Sequence, residues 1–368
     1  MEPKLTIGSA IYNLDESILR AHIEGIIPQL TDETELLLID DCSTNNAGDV
    51  CREYAEKDSR IRYIRQEKNG GLARVRNRTV EEAAGKWILF ADGDDLLSDY
   101  FVETALRFSD TDADIIIHER LKFIEEKQSE EPCAVRELTF LPNGAGRALS
   151  ISCLCLSPTP QYLGLSARAF YHAAWGGLYK KEFLCRNELL FPAGQKKAQD
   201  AVFNTHAYSC AEKIAYLPYV MYYYRGNPQG ITHRYSGNLP EIYKSLLGHL
   251  GDALQKYYAD DAAVQQKYTD HRVMACVIDN MRLDFFHKDN PHSREERRQA
   301  FLSFIDSAPY KQAIADFDPR RSGRWEWALP VKLISAKNFA ALDLFVGNEH
   351  AYSLLCGIYK RAAMLIHH

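Results

Sequence analysis

The stretch Trp87-Ile-Leu-Phe-Ala-Asp-Gly-Asp-Asp95 joins five apolar residues to three carboxylates within four positions. An apolar run without polar alternation predicts a β-strand that is covered on both faces, as in a parallel sheet. Ligands of such sheets bind beyond the carboxyl ends of the strands. Because the three carboxylates repel one another unless a cation lies among them, the stretch predicts a buried strand with a cation site at its end.

Short strand patterns and helical patterns alternate on both sides of this stretch, from about residue 4 to residue 118. This spacing is typical of right-handed βαβ units that build a mostly parallel sheet flanked by helices, so the predicted fold class is α/β and Rossmann-like. Between about 119 and 165 the pattern weakens, which indicates an insertion or a mobile lid. From about 239 the chain becomes helical, and we place boundaries at 1–118, 119–238 and 239–368.

The composition limits the function. Forty-four Lys and Arg against 50 Asp and Glu give a formal charge of −6, so no global basic field exists to hold nucleic acid, and any anion must be bound locally. The nine cysteines are scattered without the spacing of a zinc site. The sequence shows neither a signal-peptide pattern nor a run of ~20 apolar residues, and we expect a cytoplasmic protein with reduced thiols.

Polar segments follow four strands of the predicted sheet. They are Ser9 to Asn13, Asp40 to Thr44, Gln66 to Gly71 and Asp92 to Asp95. Carboxylates one residue apart suit a hard divalent ion, whereas a calcium loop would require glycine where Leu97 stands. The helix that follows Gly70-Gly71, together with Arg76, can meet the charge of a diphosphate. The chain has neither a dinucleotide-binding Gly-x-Gly-x-x-Gly after a strand nor a P-loop.

Four motifs together carry a family resemblance. They are Ala10-Ile-Tyr-Asn13, Ile39-Asp-Asp-Cys-Ser-Thr44, Asn69-Gly-Gly-Leu-Ala-Arg-Val-Arg-Asn77 and Phe90-Ala-Asp-Gly-Asp-Asp95. In order and spacing they resemble the nucleotide-sugar half of the family 2 glycosyltransferases, which have the GT-A fold. Weaker landmarks at Ala174 to Tyr179, Gln199-Asp200 and Tyr222-Tyr-Tyr-Arg225 resemble the acceptor side of enzymes that make capsule, teichoic acid and lipopolysaccharide.

The resemblance implies a metal-dependent, inverting glycosyltransferase. Its donor would be a UDP-sugar and its cofactor Mn²⁺ or Mg²⁺, and its acceptor a hydroxyl of a glycan or lipid-linked molecule in bacterial surface polysaccharide synthesis. Residues 1–118 would then bind the nucleotide-sugar, 119–238 the acceptor, and 239–368 would form a helical extension. A sugar-nucleotide pyrophosphorylase is one alternative, although it would require a Gly-rich basic loop after the first strand. A non-catalytic nucleotide-sugar-binding protein is the other.

The same resemblance implies a role for each matching residue. Asp200 would be the catalytic base. Asp94 would ligate the metal, with His233 as a third ligand or a diphosphate contact. The nucleotide would be bound by Ala10, Tyr12, Asn13, Asp41, Asn69, Arg76, Asp92 and Gly93, with Asp41 on the uracil. Trp175, Gln199 and Asp95 would lie by the donor or acceptor sugar, with packing in the protein interior as the alternative for Trp175. Two positions depart from the family pattern, with Ala10 in place of Pro and Gln199 in place of Glu, and Gln199 motivates the non-catalytic alternative.

The segment from Pro319 to Lys337 has a charge opposite to that of the chain. It contains five basic residues and one acid, a local charge of +4, with Trp325 and Trp327 interleaved. A basic, Trp-bearing segment before an amphipathic region fits docking on the anionic inner face of the plasma membrane. The alternative is a helical appendage that packs on the catalytic domain or on a second subunit as a homo-oligomer.

Overall fold

The structure is a computed structural model that describes residues 3–123, 137–226, 235–346, 352, 354–358, 360 and 361. The chain divides into two compact units. The first comprises Met1–Cys153 and Pro158–Asn227, and the second comprises Leu154–Ser157 and Pro228–His368. The strands of the described chain belong to the first unit, and the second unit is helical.

The strands of the first unit are β1 (Leu5–Ile11), β2 (Thr34–Asp40), β3 (Ile61–Arg65), β4 (Trp87–Asp92), β5 (Leu96–Leu97), β6 (Ile115–Phe123), β7 (Thr139–Phe140), β8 (Gly177–Lys180) and β9 (Ile214–Arg225). Its helices are α1 (Glu16–Ile26), α2 (Ala47–Lys57), α3 (Leu72–Glu82), α4 (Phe101–Arg107), α5 (Ala145–Cys155), α6 (Lys181–Arg186) and α7 (Gln199–Cys210). The last two residues of α5 belong to the second unit.

The strands form one sheet in the order β3-β2-β1-β4-β8-β6-β9-β5, with β7 paired to β9. Strands β3, β2, β1 and β4 are parallel throughout, as the βαβ pattern predicts. The antiparallel pairs involve β8, β5 and β7. Since β6 runs parallel to β9 and antiparallel to β8, the carboxyl ends of β1, β2, β4, β6 and β9 meet at one edge of the sheet.

Both faces of the central strands are buried. Leu89 of β4 packs in a cluster with residues of α1, while its neighbours Ile88 and Phe90 pack in another cluster with residues of α7. Successive side chains of a strand point to opposite faces, so this division shows helices on both sides of the sheet. The α/β class that the apolar runs predict is confirmed.

The region from 119 to 165 is more regular than its sequence pattern indicates. Strand β6 continues to Phe123, and α5 forms where an insertion or mobile lid was expected. The hydroxyl of Ser150 donates to the main-chain oxygen of Thr205, and that of Ser152 contacts the Tyr171 hydroxyl. These buried, hydrogen-bonded serines explain the missing amphipathic pattern of α5. Residues 124–136 lie outside the described chain.

The second unit contains α8 (Leu239–Tyr258), α9 (Ala262–Lys267), α10 (Met274–Asn280), α11 (Arg294–Ile305), α12 (Tyr310–Asp316), α13 (Pro319–Ser322), α14 (Ala328–Ser335) and α15 (Phe339–Val346). Two π-helical turns, Tyr268–Val273 and Met281–Phe285, flank α10. The predicted helical character of the chain after about 239 is confirmed. Within the described ranges, no helix combines the length and apolarity that a membrane span requires.

Candidate active site

The loop after β4 is held against β1 by a close backbone approach. The N–H of Gly93 donates to the main-chain oxygen of Ala10 at 3.1 Å. A Cβ atom added to Gly93 would lie 2.8 Å from that oxygen and 2.6 Å from Cδ1 of Ile11. Only glycine fits here without a shift of β1, so Gly93 fixes where the flanking Asp92 and Asp94 stand.

Asp95 ties the same loop to β9. Its Oδ2 accepts a hydrogen bond from the Tyr222 hydroxyl at 2.7 Å, and its Oδ1 accepts from the Arg225 N–H at 2.6 Å. The Tyr222 hydroxyl in turn accepts from the N–H of Asp92 at 3.0 Å. Because Asp95 is 1% exposed and both its oxygens are engaged, it positions the loop and presents little surface to a sugar.

The three carboxylates of the loop are mutually unfavourable when charged. Burial raises the pKa of Asp92, Asp94 and Asp95. The charge of Asp92 raises the pKa values of Asp94 and Asp95 further, while Arg76 lowers that of Asp92. A divalent cation would oppose these effects by favouring the charged forms.

Asp94 is the member of this cluster best suited to a metal. It is half-buried, and no side chain in the described part of the chain donates a hydrogen bond to its carboxylate. Among the described residues, no group of three His, Cys, Asp or Glu side chains stands close enough to hold a metal. A cation here would therefore take its other ligands from substrate oxygens and water, as Mg²⁺ commonly does. The predicted ligand His233 lies outside the described residues.

Arg76 of α3 connects the β4 loop to α7. Its Nη2 donates to Asp92 Oδ1 at 3.0 Å, and its Nη1 donates to Asp200 Oδ1 at 2.6 Å. The side chain is 3% exposed, and its guanidinium carbon lies 5.4 Å from the ring centre of Phe191. Both terminal nitrogens are thus used by carboxylates, so Arg76 holds two acids in place rather than reaching freely for a phosphate.

Asp200 stands in the first turn of α7, beside Gln199. The N–H of Ala174 donates to its Oδ1 at 2.9 Å, on the atom that also accepts from Arg76. Its Oδ2 has no hydrogen-bond donor among the described residues, and the side chain is 22% exposed. One oxygen is therefore fixed and the other is open, which is the arrangement that a general base requires. Gln199 is 6% exposed.

Asp41 organises the turn that begins α3. Its Oδ1 accepts from the Gly70 N–H at 2.7 Å and from the Gln66 side chain at 2.8 Å, while its Oδ2 accepts from the Gly71 N–H at 2.7 Å. The Asn69 side chain donates to the main-chain oxygen of Asp41 at 3.2 Å. A carboxylate has about four acceptor positions, so one remains for the predicted contact with a base.

Asn13 joins the loops that follow β1 and β2. Its Oδ1 accepts from the Thr44 N–H at 2.7 Å, and its own N–H donates to the Ser43 hydroxyl at 3.0 Å. Asn13 has a φ of 49°, a left-handed conformation that asparagine tolerates better than most residues. Tyr12 is 48% exposed beside it, and Ala10 is half-buried at the end of β1.

Trp175 is part of an aromatic stack. Its ring lies nearly parallel to those of Tyr222, Phe170 and Tyr224, at centroid distances of 4.8, 5.3 and 5.4 Å. The side chain is 5% exposed. Trp175 therefore has almost no surface on which a sugar could stack in this conformation, and it supports the strand that carries Tyr222.

Residues 6–149 match the family model described as glycosyl transferase family 2. That match covers β1 to β4 and the carboxylate loop whose geometry is described above. Residues 6–149 of this chain form a glycosyl transferase family 2 domain. This glycosyltransferase is 29% identical to EpsJ of Bacillus subtilis, an uncharacterized glycosyltransferase, over 73% of this chain and 71% of that relative.

Two further comparisons support the fold and the family. The glycosyltransferase is 26% identical to the poly(ribitol-phosphate) beta-glucosyltransferase of Bacillus spizizenii over 83% of this chain, although the match spans only 45% of that relative. The crystal structure of TarS residues 1–349 of Staphylococcus aureus in complex with UDP-GlcNAc matches with a TM-score of 0.61 at 19% identity. It covers 95% of this chain and 92% of the TarS chain. The predicted GT-A fold is thereby confirmed.

Several residues of the glycosyltransferase site carry no assigned role in the sequence analysis. Gln66 appears there as a residue after β3, yet its hydrogen bond to Asp41 spans 25 positions and has no local signal. Tyr222 belongs to a quoted landmark, but nothing in sequence shows that its hydroxyl bonds to both Asp95 and the N–H of Asp92. Arg225 donates from Nε to the main-chain oxygen of Asp94 at 2.7 Å, which brings a cation to the carboxylate loop.

Proposed function

We propose that this glycosyltransferase moves a sugar from a UDP-sugar to a hydroxyl of a glycan or lipid-linked acceptor, with inversion at the anomeric carbon. The observation that carries the proposal is the bridge from Asp92 through Arg76 to Asp200. In this bridge the guanidinium of Arg76 holds both Asp92, at the end of β4, and Asp200, which has one open oxygen. A donor held at the loop would thus have a base within the same site.

Asp200 is the proposed base because of its two unequal oxygens. In the transfer, the hydroxyl oxygen of the acceptor attacks the anomeric carbon, and Oδ2 of Asp200 takes the proton of that hydroxyl. The bond from the anomeric carbon to the diphosphate breaks, and UDP leaves with the bonding electrons. Arg76 and the Ala174 N–H hold Oδ1 and so orient the carboxylate during this step.

The donor and the metal belong to the same proposal. UDP is favoured because the structural neighbour TarS is described in complex with UDP-GlcNAc, and because Asp41 keeps one acceptor position for an imide N–H. Asp94 would hold Mn²⁺ or Mg²⁺, which when bound supplies charge stabilisation for the departing diphosphate. Arg225, at the main chain of Asp94, adds a second positive charge there.

Surface polysaccharide synthesis is the proposed context. Two relatives support it by name, the poly(ribitol-phosphate) beta-glucosyltransferase of Bacillus spizizenii and the poly(ribitol-phosphate) beta-N-acetylglucosaminyltransferase TarS of Staphylococcus aureus. The match covers 45% and 31% of those proteins, so their acceptors guide the choice of assay and do not identify the acceptor of this chain.

The direct test is UDP release from UDP-sugars in the presence of Mn²⁺, with and without added acceptor. Asp200→Asn keeps the size and the contact with the Ala174 N–H but removes the basic oxygen, and we expect it to lower UDP release at least about 100-fold. UDP binding should change less than threefold. Asp49→Asn on α2, where the side chain is 77% exposed, is the matched control and should behave as wild type. Wild-type release by Asp200→Asn would refute the assigned base.

Binding to an anionic membrane surface is a separate part of the proposal. It rests on the basic segment from Pro319 to Lys337, and the second unit pairs much of that charge internally. Arg321 forms two hydrogen bonds with Asp270, and Arg324 contacts Glu326 and the Trp327 ring. Arg320 pairs with Asp318 and Lys337 with Asp306, so Lys332 is the basic residue without an ion pair in this described segment.

Co-sedimentation with vesicles tests this part separately. Vesicles containing about 30% phosphatidylglycerol should retain the protein at low salt, and neutral phosphatidylcholine vesicles should not. Lys332→Gln combined with Arg320→Gln should reduce retention, because it removes two exposed positive charges from the basic segment. Equal recovery with neutral and anionic vesicles would remove membrane binding from the proposal without touching the enzymatic assignment.

A further inference from the structure

Arg120 on β6 forms no direct ion pair within the described part of the chain, although Asp95 is among the groups whose charge acts on it at longer range. Its Nε is buried and has no hydrogen-bond partner, and none of the described side chains forms an ion pair with it. The guanidinium carbon lies 4.1 Å from the ring centre of Phe170, 5.8 Å from that of Trp175 and 5.9 Å from that of Tyr224. Aromatic rings attract a cation, but they leave its N–H donors unsatisfied.

An irregularity in the pairing of β6 with β9 precedes Arg120 and changes the direction of its side chain. The pairing of β6 with β9 shifts register between His118 and Glu119 and again between Glu119 and Arg120. Such irregularities redirect side chains and are frequent beside active sites. After the shift Arg120 pairs with Tyr222, the residue whose hydroxyl binds Asp95. Arg120 thus stands at the same sheet edge as the carboxylate loop.

Two other arginines at this edge of the sheet have oxygen acceptors for their guanidinium groups. Arg76 is buried with two carboxylates, and Arg225 donates to the main-chain oxygen of Asp94. Arg120 is half-buried with no such acceptor among the described residues, and an unpaired charge in a partly dehydrated position is costly. A bound anion would pair with this charge and offset the free-energy cost of its partial dehydration, as in other preformed anion-binding sites.

We propose that Arg120 binds a phosphate oxygen of a substrate. This inference rests on the proposed function, and two sources share the chemistry: the diphosphate of the donor and a phosphate carried by the acceptor. A planar guanidinium with aromatic support on its face presents its edge N–H groups to an anion, which suits phosphate. Phosphate is preferred over carboxylate because the donor brings two phosphates to this edge and two relatives are named for poly(ribitol-phosphate).

Two binding measurements on the full-length protein distinguish the sources. The first is the affinity for UDP with Mn²⁺, and the second is the affinity for sn-glycerol 3-phosphate at saturating UDP and Mn²⁺, with glycerol as the neutral counterpart. Each is made on wild type and on Arg120→Gln. Arg107→Gln is the matched control, because Arg107 is an exposed arginine that also stacks on a ring, that of Phe108.

If the donor is the source, Arg120→Gln weakens UDP binding at least tenfold. If the acceptor is the source, UDP binding is unchanged and glycerol 3-phosphate binding weakens at least tenfold, while glycerol shows no difference. The proposal is overturned if a folded Arg120→Gln binds both probes within twofold of wild type. It is equally overturned if wild type ignores glycerol 3-phosphate and the variant binds UDP normally.

A second variant protects the test against misfolding. Arg120→Lys keeps the charge and the aliphatic stem but loses the planar fork, and we expect it to weaken the affected probe at least threefold. Wild-type affinity in Arg120→Lys for both probes would contradict recognition by the guanidinium fork. Because both measurements are equilibria without turnover, they stand or fall independently of Asp200 and of the transfer reaction.

Discussion

The ring of His22 on α1 donates from Nδ1 to the main-chain oxygen of Asp95 across 2.7 Å. A carbonyl oxygen can only accept, so Nδ1 carries the proton, and the neutral Nε2 accepts from the Ser9 hydroxyl at 2.7 Å. His22 is 1% exposed and links β1 to the carboxylate loop. Burial lowers its pKa to about 4, with the Asp95 oxygen opposing that shift.

Acid should therefore weaken the first unit through His22. The unfolded chain takes up a proton near pH 6.5 and the folded chain only near pH 4, so stability falls as pH drops through that window. The full shift corresponds to about 3 kcal/mol. We expect His22→Asn, which retains a donor for Asp95, to lose less stability than wild type between these pH values in urea titrations.

Comparing how the free energy of unfolding changes with pH in wild type and in His22→Asn separates the contribution of His22 from those of other groups. His118 also has a pKa lowered to about 4 by burial, and the raised pKa values of the loop carboxylates act in the opposite direction. These contributions are common to both proteins and cancel in the difference. Parallel pH profiles for wild type and His22→Asn would contradict a buried neutral imidazole.

Removal of Arg76 should be among the most damaging single changes in the first unit. Arg76→Met leaves Asp92 and Asp200 without their shared cation, and we expect a loss of about 3–5 kcal/mol in the free energy of unfolding. The double variant Arg76→Met, Asp200→Asn should recover part of it. Arg78→Met, two positions along α3 with a half-exposed side chain, should cost about 1 kcal/mol or less. Equal losses at both arginines would contradict the bridge.

Gly93→Ala should cost stability because a Cβ has no room. It would stand 2.6 Å from Ile11 Cδ1 and 2.8 Å from the Ala10 oxygen, so the loop or β1 must move, at about 1–3 kcal/mol. Gly25→Ala is the control, since apart from the neighbouring backbone of α1 no atom of the described residues lies within 4 Å of its added Cβ. That change should raise stability by about 0.5–1 kcal/mol. Thermal unfolding of both variants measures the contrast, and a stable Gly93→Ala would show that the loop is not clamped.

Divalent metal should stabilise the protein more strongly at higher pH. Without metal, the raised pKa values of Asp92, Asp94 and Asp95 mean that stability declines as pH rises through those values. A metal binds the charged carboxylates, so the Mn²⁺-induced rise in Tm should be larger at about pH 8 than at about pH 5. Asp94→Asn should abolish most of it, whereas Asp49→Asn should not. A pH-independent rise in wild type would argue against this cluster as the site.

The strand ends were predictable from sequence, and the contacts between them were not. Apolar runs such as Trp87 to Ala91 identify buried strands, and Asp92, Asp94 and Asp200 follow from their motifs. The cage around Arg120 comes from residues 50 to 104 positions away, so no local pattern could indicate it. Trp175 shows the converse, because a motif cannot tell whether its ring packs on protein or faces a ligand.

The position of Asp41 limits how the nucleotide preference of this protein can be changed by substitution. The carboxylate proposed to contact the donor base also accepts hydrogen bonds from Gly70, Gly71 and Gln66, so it shapes the turn that starts α3. A substitution meant to change nucleotide preference at this position would also displace the helix that carries Arg76. Tyr12 is the better position at which to alter selectivity, because its ring is 48% exposed and its hydroxyl has no hydrogen bond to the described residues.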